Sequence, residues 1–192
     1  MYIASQNIID FPGFDVYKSL IQTSVKGLSE KRQSQTVGFL DLTEDIMQVE
    51  AINDFVGKTQ DQYDTVIVFG VGGSALGARA FLQAYHGMYW NSLSSDQRGG
   101  LAQLYIIDNV DSGEVHQLLQ TIDLGRTLIN IVSKSGGTLE TSLQSAYIIE
   151  QMKKSGISDV SQHVVVTTGK ETPMETYAQQ NNFPVFYIPE NV

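Results

Sequence analysis

The sequence predicts an α/β fold: a five-stranded parallel sheet of order 2-1-3-4-5, sandwiched in three layers and preceded by a helical segment. Three observations carry this prediction. Apolar runs of strand length recur at about 65–69, 103–107, 127–132, 163–167 and 184–188, with helix-compatible stretches between them. The runs are apolar throughout, as strands covered on both faces are, and alternation of strand with helix implies βαβ units. The first and third runs each break into a glycine- and hydroxyl-rich turn that reads as a helix N-terminus. With the order 2-1-3-4-5, strands 1 and 3 are neighbours at the point where strand order reverses, where open parallel sheets bind their ligands.

Taken in order, residues 1–62 form an N-terminal helical segment and residues 63–192 the sheet-bearing domain. Phe14, Tyr17, Leu20, Ile21, Val25 and Leu28 recur at helical spacing, and so do Ile46, Val49, Ile52, Phe55 and Val56. Thr43 is placed as the N-cap of the second of these helices, with Glu44 and Asp45 in its first turn. The first strand, Val66-Ile67-Val68-Phe69, runs into Gly70-Val71-Gly72-Gly73-Ser74-Ala75-Leu76-Gly77, and the helix that follows ends near His86 and Gly87. The stretch 87–100, with Gly87, Gly99 and Gly100, is an irregular excursion before the second strand. Asp111 and Glu114 have the spacing of a capping box, so a helix starts there. The third strand, Ile129-Asn130-Ile131-Val132, runs into Ser133-Lys134-Ser135-Gly136-Gly137-Thr138-Leu139-Glu140-Thr141-Ser142.

Composition narrows the chemistry. The chain has no cysteine, which excludes disulfides, thiolate metal sites and cysteine nucleophiles. A net charge of −9 argues against nucleic acid or an anionic membrane as the main partner, so an anion site must be built locally. No apolar run reaches the roughly 18 residues of a membrane span and no signal pattern opens the chain, so a cytoplasmic setting is expected.

The two turns suggest a phosphate cradle. Unpaired N–H groups and the positive end of the dipole at a helix N-terminus attract an anion. Lacking Cβ atoms, Gly70, Gly72 and Gly73 allow close backbone approach and positive φ, and Gly136 and Gly137 are expected to do the same. Ser74, Ser133, Ser135 and Thr138 offer hydroxyls and Lys134 a positive charge. A dinucleotide fingerprint can also be read in Gly70 to Ala75, but it wants an acid about 20 residues on, and the acid that ends strand 2 is Asp108. Neither turn contains the G-x-x-x-x-G-K-[ST] of a nucleotide P-loop. His86, His116 and His163 stand outside both turns and are not placed as catalysts.

The two turns resemble the paired sugar-isomerase-domain motifs of the phosphoglucose isomerase family. Phe39-Leu40-Asp41-Leu42, Asp108-Asn109-Val110-Asp111 and Ile188-Pro189-Glu190-Asn191-Val192 fit the same family, so the resemblance runs from about residue 39 to the end. Ser135 stands where the family often has Thr, and Gly136 and Gly137 vary within it. The resemblance implies a flavodoxin-like sugar isomerase domain. It also implies interconversion of glucose 6-phosphate and fructose 6-phosphate through a cis-enediol, without metal or redox cofactor, in glycolysis and gluconeogenesis. By that likeness Ser74, Ser133, Lys134, Ser135 and Thr138 hold the substrate phosphate and Gly73 lines the sugar site. Glu140 matches a family glutamate that orients the ring-opening histidine. The likeness also implies a homodimeric parent. In the family, the last segment leads into a Gly-Gly-Arg stretch and a second sugar isomerase domain that bears the base glutamate, the histidine and a lysine. The sequence stops at Val192 before any of these, so it is expected to be the N-terminal, phosphate-binding part of such an enzyme, inactive alone. The alternative is a stand-alone sugar-phosphate-binding module of regulatory type.

Overall fold

The structure, a computed structural model, describes residues 13–192. Packing divides the chain into a smaller unit, residues up to Asp45 with Asn191–Val192, and a larger one, Ile46–Glu190. The smaller unit carries α1 (Phe14–Gln33), which follows Gly13 at φ +92°. Its periodic residues Tyr17, Leu20, Ile21, Val25 and Leu28 are exposed. Arg32 donates to Asp41 at 2.6 Å and to Glu44 at 2.7 Å. That clamp accompanies a 3₁₀ turn at Leu42–Glu44. Thr43 therefore lies inside the turn and is not the N-cap of the next helix, which begins only at Ile46.

The larger unit holds the sheet: β1 (Thr65–Phe69), β2 (Gln103–Ile107), β3 (Thr127–Ser133), β4 (Val164–Thr168) and β5 (Val185–Tyr187). Its helices are α2 (Ile46–Thr59), α3 (Gly73–His86), α4 (Ser112–Leu119), α5 (Leu139–Lys154) and α6 (Pro173–Gln180). The strands lie in the order β2-β1-β3-β4-β5, all pairs parallel, as the sequence predicts. Helix α2, grouped by the sequence with the N-terminal segment, belongs to this unit, where Phe55 meets Phe186 edge-on with ring centroids 5.5 Å apart.

Handedness sorts the helices into layers. The step from β1 to β2 runs one way across the sheet, and every later step runs the other way. Right-handed crossovers therefore lay α3 on one face and α4, α5 and α6 on the opposite face. On the latter face Ile67, Phe69, Ile129, Ile131, Val164 and Val166 are fully buried against Val115, Leu118, Ile148, Met152 and Ala178. The other face packs Tyr63, Leu128 and Val165 with Phe55 and Phe186.

The irregular stretch after α3 has a definite task. Asn91 accepts from Leu104 N and donates to Leu104 O, both at 2.8 Å, and so occupies the open hydrogen-bonding side of edge strand β2. Buried Arg98 ties the same loop together through the carbonyls of Leu93 and Leu101. Asp111 caps α4 as the sequence predicts, accepting from Gly113 N at 2.8 Å and Glu114 N at 3.2 Å.

Candidate anion site at the sheet reversal

In the sheet, Phe69 pairs with Ile131, so β1 and β3 end within two residues of one another and release their turns side by side. Adjacent strands lie about 4.8 Å apart, a spacing over which one phosphate can be approached from both. The turns after β1 and β3 are therefore neighbours at one end of the sheet, as the strand order predicts.

In the first turn Gly70 donates to Ile107 O at 3.2 Å, which anchors the turn to the end of β2. A Cβ at Gly70 would stand 2.8 Å from Ser74 O, so only glycine fits beneath the first turn of α3. Gly72 has φ +57°, and a Cβ at Gly72 or Gly73 would meet nothing within 4 Å, leaving this backbone open to a ligand. Helix α3 starts at Gly73, with half-buried Ser74 as its second residue.

The second turn is more constrained. Ser133 is the last residue of β3 and is buried, and its hydroxyl pairs with that of Thr138 at 3.0 Å. Lys134 is exposed and its Nζ donates to the Glu190 carbonyl at 3.0 Å. Ser135 accepts weakly from Gly137 N at 3.3 Å. Thr138 occupies the N-cap of α5, and exposed Glu140 lies in the first turn. The two glycines differ, contrary to the sequence expectation. Gly136 is buried at φ +65°, and a Cβ there would stand 2.5 Å from Thr172 Cβ. Gly137 has no positive φ and open space around it. Of Gly70, Gly72, Gly73, Gly136 and Gly137, Gly72 and Gly136 alone use the left-handed region.

A third turn, after β4, completes the arrangement and is one that sequence reasoning misses. Thr168 Oγ1 donates to Ser133 O at 2.7 Å and Gly169 N donates to Lys134 O at 3.1 Å. Thr172 caps α6, accepting from Glu175 N at 3.1 Å, and its hydroxyl lies 3.0 Å from that of Thr168. The signal is present locally: Thr172-Pro173-Met174-Glu175 has the capping-box spacing with Pro at the first helical position.

The remaining candidates fall elsewhere. Asp108 pairs with Arg79 at 3.0 Å, so the acid a dinucleotide ribose would need is engaged by α3. His86 ends α3 and lies against Trp90, with ring centroids 4.0 Å apart. His163 Nδ1 lies 3.0 Å from Thr127 O, and His116 Nε2 lies 3.0 Å from Gln120. Chemically, the two turns carry backbone amides, the hydroxyls of Ser74, Ser133, Ser135 and Thr138 and the Lys134 ammonium, groups of the kind that can hydrogen-bond an oxyanion.

The phosphoglucose isomerase profile matches residues 25–187, which spans both turns and all five strands. The chain belongs to the phosphoglucose isomerase family. It is 31% identical over 183 residues to the glucose-6-phosphate isomerase of Carboxydothermus hydrogenoformans, a match covering 93% of this chain and 39% of that protein. The crystal structure of a hypothetical protein from Thermus thermophilus superposes with a TM-score of 0.79 at 29% identity, over 95% of this chain and 42% of that one. That of a glucose-6-phosphate isomerase from Chlamydia trachomatis gives a TM-score of 0.64 at 26% identity, over 76% of this chain and 26% of that one. This phosphoglucose isomerase family member thus has the sugar isomerase fold and spans about two fifths of the length of its curated relative. Among the described residues, no helix is long and apolar enough to cross a membrane.

Proposed function

We propose that this chain is the phosphate-binding part of a glucose-6-phosphate isomerase, acting in the cytoplasm on glucose 6-phosphate and fructose 6-phosphate. Ser74, Ser133, Lys134, Ser135 and Thr138 hold the phosphate, Gly73 lines the sugar side, and Glu140 supports the catalytic groups. The observation that carries this reading is the pairing of the two turns on neighbouring strands β1 and β3. Each charge-assisted hydrogen bond contributes about 1.5–3 kcal/mol, and association costs an estimated 4–15 kcal/mol. Four or five such bonds therefore anchor a small phosphorylated sugar without binding it tightly.

Moving a proton between C1 and C2 needs a base poised over the sugar. The two turns supply one carboxylate, the exposed Glu140, and no histidine. Grip and proton transfer are therefore separate jobs, and this chain performs the first. The test is titration calorimetry of the 192-residue chain with fructose 6-phosphate, alongside a coupled isomerase assay. Binding without turnover is expected. Failure to bind, or robust turnover by the pure chain, overturns the assignment.

A further inference from the structure

We propose that Thr168 and Thr172 are positioning residues of the phosphate turn, acting through a hydroxyl relay from α6 that fixes which way the turn's amides point. This inference rests on reading Ser133–Thr138 as a phosphate grip.

Thr168 is fully buried at the end of β4, in register with Ser133. The Ser133 carbonyl can only accept, so the one proton of Thr168 goes to it, at 2.7 Å. Thr168 Oγ1 is then an acceptor for Thr172, whose own proton has Thr168 Oγ1 at 3.0 Å and Gly169 O at 3.1 Å within reach. Thr172 Oγ1 in turn accepts the Glu175 N–H of α6 at 3.1 Å. Beside this relay, Gly169 N holds the Lys134 carbonyl at 3.1 Å. The absence of a Cβ at Gly136 lets Thr172 approach closely enough to complete the brace.

The consequence follows from peptide geometry. In a trans peptide the C=O and the next N–H point in opposite directions. Two successive carbonyls, of Ser133 (which also accepts from Gly136 N at 3.1 Å) and of Lys134, are tied to groups at the end of β4, which a regular strand with its alternating carbonyls does not allow. The N–H groups of Lys134 and Ser135 are therefore turned away from β4. In the order β2-β1-β3-β4-β5 that direction is the side of β1, where Gly70–Ser74 stands. Successive amides aimed one way form an anion-binding concavity. The brace after β4 thus sets the aim of the grip without touching the ligand.

The test uses the whole chain as wild type, Thr168→Val and Thr168→Ser. Each is titrated with inorganic phosphate and with fructose 6-phosphate, with the Ser135 amide followed by ¹⁵N NMR and the thermal midpoint measured. Loss of one orienting hydrogen bond is expected to weaken both ligands by about tenfold in Thr168→Val. The Ser135 amide resonance shifts in the free protein, and Thr168→Ser restores affinity to within about twofold of wild type. A Thr168→Val chain with a lower midpoint but unchanged affinity has lost only a structural bond, and overturns the inference. Should Thr168→Val not fold, the half-buried Thr172→Val cuts the relay one step earlier. It is expected to weaken both ligands too, and wild-type affinity in that variant overturns the inference equally. Wild-type protein that binds neither ligand overturns the functional reading itself, a separate result.

Discussion

Replacing Gly136 by alanine is the sharpest probe of how the second turn is built. The new Cβ would stand 2.5 Å from Thr172 Cβ, 2.6 Å from Thr172 Oγ1 and 3.1 Å from Met174 Cβ. The first two contacts are closer than real Cβ atoms come, so α6 or the turn must move. Overpacking of this kind costs about 1–3 kcal/mol. The backbone adds to it, because φ +65° is the left-handed region, which costs a non-glycine residue about 1–2 kcal/mol. The sum is about 2–5 kcal/mol, and at roughly 2–4 °C per kcal/mol for a chain of this size the midpoint falls by about 4–20 °C. Gly137→Ala is the control: with ordinary φ and open space, it is expected to change stability by less than about 1 kcal/mol. Thermal and urea unfolding followed by circular dichroism measure both. A Gly136→Ala loss below about 0.5 kcal/mol, or equal losses in the two variants, would refute the packing argument.

Three further outcomes are expected. Asp111→Ala removes the acceptor of two α4 amides, at 2.8 and 3.2 Å, and should cost about 0.5–2 kcal/mol in urea unfolding. Thr141 Oγ1 is buried and has no hydrogen-bond partner among the described residues, so Thr141→Val should leave stability unchanged or raise it by about 1 kcal/mol. A clear loss would mean that the hydroxyl is satisfied in solution. Asp64 is held below the usual carboxylate range by its hydrogen bond from Arg126, at 2.9 Å. Because the folded pKa is depressed, its contribution is complete above the unfolded value near 3.9 and is lost as pH falls through the lower folded value. The pair is exposed, so unfolding of wild type and Asp64→Asn should differ by less than about 1 kcal/mol at neutral pH and converge in acid.

The sheet was legible because its signals are local. Strands β1 and β2 match the apolar runs at 65–69 and 103–107. β3 runs one residue further, to Ser133, because the Ser133 backbone still pairs with Thr168. β4 starts one residue later than expected, since His163 closes a 3₁₀ turn at Val160–His163. The misplaced cap at Thr43 and the unseen brace at Thr168 share a cause. Arg32 lies nine and twelve residues from its two acids, and Thr168 lies 35 residues from Ser133. Contacts of that span are set by tertiary packing, which local pattern does not encode. The glycine signals could be read, but not the difference between Gly136 and Gly137, which depends on where α6 lies. The edge-strand role of Asn91 was hidden for the same reason.

The central claim is that two turns, 63 residues apart in sequence from Gly70 to Ser133, form one phosphate grip. The most direct measurement is ¹⁵N NMR titration of the chain with fructose 6-phosphate, following the amides of Gly72, Gly73 and Ser74 together with those of Ser135 and Thr138. A single shared site predicts that both sets move along one saturation curve with one dissociation constant, and that inorganic phosphate displaces the sugar from both. Shifts confined to one turn, or two curves with different midpoints, would contradict it.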